Sequence, residues 1–214
     1  MMSVEQAQKL VFDKVKDEVV SRYGESFYED VLTGHLITES VNWFAPYLFG
    51  KASDAGTTVP SPLFELSEVC RFFARELRRP ALEVQCNLGC IGASLKVDLA
   101  IDRDPNKIDL ARVSLPGLEF QCKAIEDVEG EATYATVLTA FGLGRMDAGR
   151  GQPIFLDFVT HATRLLAPGG RILVAERARF QDNIVEPLVA LDYEIAKLSS
   201  IKGTGSVMIV AMKP

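Results

Sequence analysis

Residues 81–92 read Ala81-Leu82-Glu83-Val84-Gln85-Cys86-Asn87-Leu88-Gly89-Cys90-Ile91-Gly92, and the chain changes its periodicity there. Upstream, Ser61-Pro62 starts a helix, with Ser as N-cap and Pro at the first helical position. Leu63, Leu66, Val69, Cys70, Phe73 and Leu77 form its apolar face, and Pro80 stops it. Ala81 to Val84 is then a short buried strand. Gly89 and Gly92 suit a tight strand-to-helix turn.

Downstream, strand and helix patterns alternate. Asp98 to Asp102 reads as a strand, and Asn106 to Val113 as a helix begun by the turn Asp104-Pro105. Leu118 to Cys122 and Tyr134 to Thr139 are further strands. Ile154 to Leu166 is a helix ended by Pro168-Gly169-Gly170, and Arg171 to Glu176 is the next strand. Asn183 to Leu191 reads as a helix, and Tyr193 to Ser199 and Ser206 to Met212 as the last strands. Alternation of this kind implies a parallel sheet with right-handed crossovers. The short turn Gly203-Thr204-Gly205 instead joins two neighbouring strands, which makes an antiparallel hairpin. The expected fold is α/β: a doubly wound, mostly parallel seven-stranded sheet. Its last strand, Ser206 to Met212, should run antiparallel between its neighbours.

The first sixty residues read differently. Ser3 with Gln6 forms a capping-box pattern. Val11, Phe12, Val15, Val19 and Val20 follow a helical stripe that Gly24 breaks. Two more helical stretches span Phe27 to His35 and Ser40 to Phe49. They hold a concentration of Tyr, Trp and Phe, including Tyr28, Trp43 and Tyr47. Gly50 to Pro60 is a loop by composition. The sequence thus divides into a helical extension or lid, residues 1–60, and an α/β domain, residues 61–214. The aromatic helices are expected to cover the carboxyl ends of the strands, where ligands of open α/β sheets bind.

Bulk properties narrow the function. The 214 residues are 48% hydrophobic and 24% charged, enough to bury a core without disulfides or metals. A net charge of −6 argues against a nucleic-acid or anionic-membrane footprint. The basic run from Arg75 to Arg79 reads as a solvated helix end. The four cysteines, Cys70, Cys86, Cys90 and Cys122, form no CxxC pair. Three of them sit in apolar stretches, and they read as buried free thiols in a reducing compartment. The polar N-terminus is no signal peptide, and no apolar run reaches bilayer length. The expectation is a soluble, cytoplasmic protein.

The same stretch, Ala81 to Gly92, resembles the first motif of class I S-adenosylmethionine-dependent methyltransferases. In that family the strand carries an acid and enters a G-x-G-x-G loop against which the methionine part of the cofactor lies. Glu83 stands at the acid and Gly89 at the third glycine. Gln85 and Asn87 stand where the first two glycines would be, so the motif is degenerate. Asp102, 19 residues after Glu83, matches the family's ribose-binding acid. A carboxylate suits a vicinal diol because it accepts two hydrogen bonds. Arg103 follows it in the same motif. In the third motif, around Ala124, the usual adenine-side acid aligns with Lys123, and Glu126 or Asp127 is the candidate replacement. Val137 to Gly142, with Thr139, resembles the floor of the substrate site. Phe155 to Val174, through Pro168-Gly169-Gly170, is similar to the family's helix, "P-G-G" and strand.

The resemblance implies S-adenosylmethionine as cofactor and a small-molecule substrate. It implies a cofactor site built from Glu83, Gln85, Asn87, Gly89, Asp102, Arg103, Ala124 and Thr139. Transfer would rest on proximity and orientation, since no general base stands out. His35 and His161 are lone histidines read as structural, His161 by motif order far from the loop. Two other readings stay open. The altered loop suits a catalytically inactive relative that serves as a binding or partner-stabilising subunit. A nicotinamide-dependent oxidoreductase fits less well, because the terminal hairpin does not belong to it.

Overall fold

The computed structural model describes residues 2–7, 9–11, 13–14, 62–143 and 154–214. Helix α1, Pro62–Glu76, precedes strand β1, Ala81–Val84. Then come α2, Cys90–Leu95, β2, Leu99–Asp102, α3, Pro105–Ser114, and β3, Phe120–Cys122. A 3-10 turn at Ile125–Asp127 leads toward β4, Tyr134–Ala140. The second half holds α4, Ile154–Leu165, β5, Leu166–Arg177, α5, Gln181–Ala190, β6, Glu194–Ile201, and β7, Ser206–Met212.

The seven strands form one sheet in the order β3-β2-β1-β4-β5-β7-β6. The first five in that order run parallel, and β7 runs antiparallel between β5 and β6. The expected topology is therefore met, including the inserted last strand. Its physical origin is the four-residue turn 202–205, too short for a crossover.

Side chains alternate across the sheet. Ala81, Ala100, Leu138, Leu173 and Val210 enter the core beneath α1 to α3, and Leu82, Ile101, Val137, Ile172 and Ile209 enter the core beneath α4 and α5. Both faces of the central strands are buried, so they read as continuous apolar runs. Glu83 is the exception in β1, 2% exposed, on the α2 face.

Three local features differ from the sequence reading. The short helix α2 follows the loop directly and was not separately expected; six residues are too few to show a period. Strand β5 begins at Leu166, not Arg171. Tyr134 pairs with Leu166, and pairing resumes at Thr136 with Arg171. Pro168 and Gly169 bulge out between them, Gly169 at φ +68°. The thiol of Cys122 is exposed, whereas Cys70, Cys86 and Cys90 are buried.

At the N-terminus the capping box is formed. The Ser3 N–H donates to Gln6 Oε1 at 2.8 Å, and the Gln6 N–H to Ser3 Oγ at 3.2 Å. Val4, Ala7 and Val11 join the same core as α1, and Ser67 of α1 donates a hydrogen bond to Glu5. The aromatic stretches, His35, the proposed lid and the boundary at residue 60 lie outside the described residues.

Candidate ligand-binding cleft

Successive crossovers run from β1 outward to β3 on one side and from β4 outward on the other. The order reverses between β1 and β4, and such a switch point opens a crevice at the carboxyl ends of the strands. A cleft of about 690 Å³ lies there, lined by residues of the β1–α2 loop, the ends of β2 and β3, the β4 exit and one face of α4. That volume lies within the range of small-molecule sites.

The loop from β1 to α2 has the backbone of a glycine loop. Gln85, Asn87 and Gly89 all take left-handed φ, at 57°, 54° and 70°. An L-residue in that region costs roughly 1–2 kcal/mol, less for Asn. The chain thus keeps the conformation at all three positions and gives up the residue suited to it at two. Gly89 caps α2 and has no room for a side chain: a Cβ would overlap the Phe120 ring. It backs onto β3 and is not part of the cleft wall.

The Glu83 carboxylate sits under α2. Its Oε2 accepts the Gly92 N–H at 3.0 Å, and a Cβ on Gly92 would overlap that oxygen and come within 2.9 Å of Val97. Gly92 is therefore a close-approach glycine, not a flexible one. Burial pushes the Glu83 pKa up to about 8, the Gly92 bond opposes the shift, and the nearby Asp102 adds to it.

Asp102, at the end of β2, accepts two backbone N–H groups. Asn87 N–H reaches Oδ2 at 2.9 Å, and Asp104 N–H reaches Oδ1 at 3.0 Å. The acid thus ties the loop to the strand end. Each oxygen keeps a further acceptor site, so the pair can still take a diol. Beside it, Arg103 is ion-paired with Glu126, and both line the cleft. Lys123 and Ala124 line the same end, and the Lys123 N–H bonds to the Asp102 carbonyl at 3.0 Å. Of the two candidate replacements for the third-motif acid, Glu126 faces the cleft; Asp127 is not among the residues lining it.

At the β4 exit, Thr139 is 1% exposed and does not reach the cleft. Its hydroxyl donates to Gln85 Oε1 at 3.4 Å. Phe141 and Gly142 follow and line the cleft, Phe141 at φ 56° with the Arg177 guanidinium 5.0 Å from its ring centre.

Six of the eight expected site residues meet at the cleft: Glu83, Gln85, Asn87, Asp102, Arg103 and Ala124. Gly89 and Thr139 stand behind it. The sequence reading found α4 as a helix but missed its part in the cleft. Ile154, Asp157, Phe158 and His161 also line the cleft, so His161 is not remote from the loop. The spacing of 154, 157, 158 and 161 is the signal that could have found them, since it marks one helical face. Burial pushes the thiols of Cys70, Cys86 and Cys90 up, Cys70 to about 12. They are protonated at neutral pH and poor nucleophiles. Among the described residues no group of His, Cys, Asp and Glu is placed to hold a metal ion, and no helix is long and apolar enough to cross a membrane.

No protein-family model matches this chain, and no curated protein matches it. Solved structures do. A ribosomal protein L11 methylase from Lactobacillus delbrueckii subsp. bulgaricus superposes with a TM-score of 0.58 at 15% identity, over 72% of this chain and 82% of that one. The glycopeptide N-methyltransferase MtfA gives 0.57 at 14% identity, over 70% and 96%. The N-methyltransferase NodS of Bradyrhizobium japonicum WM9 gives 0.53 at 14%, over 70% and 94%. Identities this low define a fold and no more. The chain has the class I S-adenosylmethionine-dependent methyltransferase fold, as its sheet order and the resemblance of its loop had indicated.

Proposed function

We propose that this protein is an S-adenosylmethionine-dependent methyltransferase acting on a small molecule. One observation carries the reading: residues 85, 87 and 89 all keep left-handed backbone in a loop tied to Asp102 at the mouth of the cleft. Strain at two non-glycine positions is the kind of cost that persists at ligand sites.

The residues present fit the cofactor. The Asp102 oxygens retain capacity for the ribose hydroxyls, and Ala124, Ile125 and Glu126 line the end suited to a purine. Asn87, on the cleft wall, holds Oδ1 buried without a partner among the described residues, an acceptor matched to an ammonium donor. When bound, the cofactor supplies a methyl group on a sulfonium, which a nucleophile displaces in line. The chain's part is to hold the reactants together and exclude water. Phe141, Leu143 and Phe158 supply apolar wall for that purpose. Its free cysteines suit a reducing compartment, and we place its work in the cytoplasm.

The second reading is an inactive relative that acts as a binding or partner-stabilising subunit. The engagement of both Asp102 oxygens by backbone favours it, because a scaffold needs the same bonds to hold the loop. Thermal unfolding and calorimetry with S-adenosylmethionine or S-adenosylhomocysteine separate the two. At 100 times Kd the folded state gains about 2.7 kcal/mol, an easily seen shift. No shift and no heat at millimolar ligand would overturn the methyltransferase reading and leave the scaffold.

A further inference from the structure

The first loop position carries a side chain where bare backbone would serve the cofactor, and the structure places that side chain in a definite location. Gln85 leans onto the β4 exit, its Oε1 accepting the hydroxyl of buried Thr139 at 3.4 Å. The space it fills is left by Gly142. A Cβ on residue 142 would overlap Gln85 Oε1 and lie 3.0 Å from Gln85 Cβ and 3.1 Å from Gln85 Cδ. No left-handed φ explains this glycine, since Gly142 is not among the positive-φ residues. The three atoms nearest to a Cβ at this position all belong to Gln85.

We infer that Gly142 is a positioning residue: it gives Gln85 a berth against β4 and so keeps the methionine end of the cleft open. The glycine missing from the loop is compensated across the switch point, on the neighbouring strand exit. A side chain at 142 would displace Gln85, and the cleft that both residues line is the open space beside it. This inference rests on the methyltransferase reading for its ligand, but its geometry does not.

Calorimetry with S-adenosylhomocysteine tests it in four proteins: the natural chain, Gly142→Ala, Gln85→Gly and the double variant. Gly142→Ala should weaken binding by about tenfold or more, roughly the effect of blocking one ligand contact. The double variant should bind within about threefold of Gln85→Gly, because the displaced side chain is gone. Equal affinity in Gly142→Ala and the natural chain overturns the inference, as does a double variant as weak as Gly142→Ala. A ligand-free arm covers the case in which the natural chain binds nothing, or the alanine variant folds poorly at ligand-binding temperatures. The Gln85 side-chain amide signal, assigned by its loss in Gln85→Gly, should be shifted from the free-glutamine position in the natural chain. In Gly142→Ala, or in Thr139→Val, which removes the hydroxyl at similar volume, it should move to that position. An unmoved signal in both overturns the berth, whatever the protein binds.

Discussion

Glu76 and Glu83 are both buried glutamates, one toward each end of the sheet, and they are treated in opposite ways. Glu76, at the end of α1, is 8% exposed and bonded to Arg171 at 3.0 Å, with Lys197 as a second cation. Glu83, in β1, is 2% exposed, and its oxygen accepts a single backbone N–H. The amino end of the sheet neutralises the charge it buries. At the carboxyl end Glu65 is likewise paired, with Arg177 at 2.6 Å, but Glu83 has no cation beside it among the described residues, and its pKa shifts instead. Backbone strain follows part of the same division. Three of the six non-glycine residues at positive φ among the described residues, namely Gln85, Asn87 and Phe141, line the cleft. Costs left uncompensated at one end of a fold mark where function constrains the sequence.

The largest effect should come from the compensated end. Arg171→Met removes the cation and leaves Glu76 with Lys197, which is 54% exposed. Breaking a buried pair from one side costs about 3–5 kcal/mol, and the surviving lysine places this case near the lower bound. Urea unfolding reads the loss. Ligand affinity, measured where both proteins are folded, should not change; a change would mean that the two ends are coupled.

At the other end the largest single loss should be Asp102→Ala. The substitution removes an ionised acceptor that also anchors the Asn87 and Asp104 N–H groups. A hydrogen bond to a charged group contributes roughly 1.5–3 kcal/mol, so affinity for S-adenosylhomocysteine should fall at least tenfold. If affinity holds while stability drops, Asp102 is a loop anchor only, and the scaffold reading gains.

Glu83 makes the contrast visible in pH. Burial raises its pKa in the fold to about 8, from an ordinary glutamate value of 4.5. Between those values the folded state holds a proton that the unfolded chain has lost. Stability therefore falls as pH rises through that window, by up to about 1.4 kcal/mol per unit from this group. Below it, both states are protonated and the contribution is constant. Glu83→Gln keeps an acceptor for the Gly92 N–H and abolishes the slope. The difference between the two unfolding curves from pH 5 to 8 should widen in favour of the variant. Parallel curves would show that Glu83 is ionised in the fold.

How these features stood in the sequence follows from the range of the interactions. The sheet was legible because its signals are local: apolar runs of strand length, Pro168-Gly169-Gly170 ending α4, and a turn too short for a crossover. Asp102 was legible because the spacing from Glu83 is set by one strand–helix–strand unit. Contacts across the switch point carry no such spacing. Nothing near Gly142 announces Gln85, 57 residues earlier in the chain. His161 stood outside the expected site because motif order gives sequence distance, whereas α4 returns along the sheet to the cleft.

The smallest predicted effect sharpens the comparison most, because it has opposite signs in two measurements. Asn87 occupies a left-handed position at φ 54°, with Oδ1 buried and unpartnered among the described residues. Asn87→Gly relieves the backbone, by less than the roughly 1–2 kcal/mol typical of other residues because Asn tolerates this region. It also removes a buried acceptor without a donor, itself a cost of about 1–3 kcal/mol when truly unpaired. Against this stands the greater freedom of glycine in the unfolded chain, about 0.5–1 kcal/mol. The ligand-free variant should be more stable by up to about 1 kcal/mol, read as a raised urea midpoint at unchanged slope. If Oδ1 accepts a hydrogen bond from the cofactor's ammonium group, the same variant should bind S-adenosylhomocysteine more weakly, by a few-fold. Gln85→Gly should not share the stability gain, since it also gives up the Thr139 bond and the contact with Gly142. Stabilisation without loss of affinity would make Asn87 a tolerated relic of the loop and remove it from the site. Destabilisation by Asn87→Gly would break the comparison at its root, because the carboxyl end would then carry no relievable strain at this position.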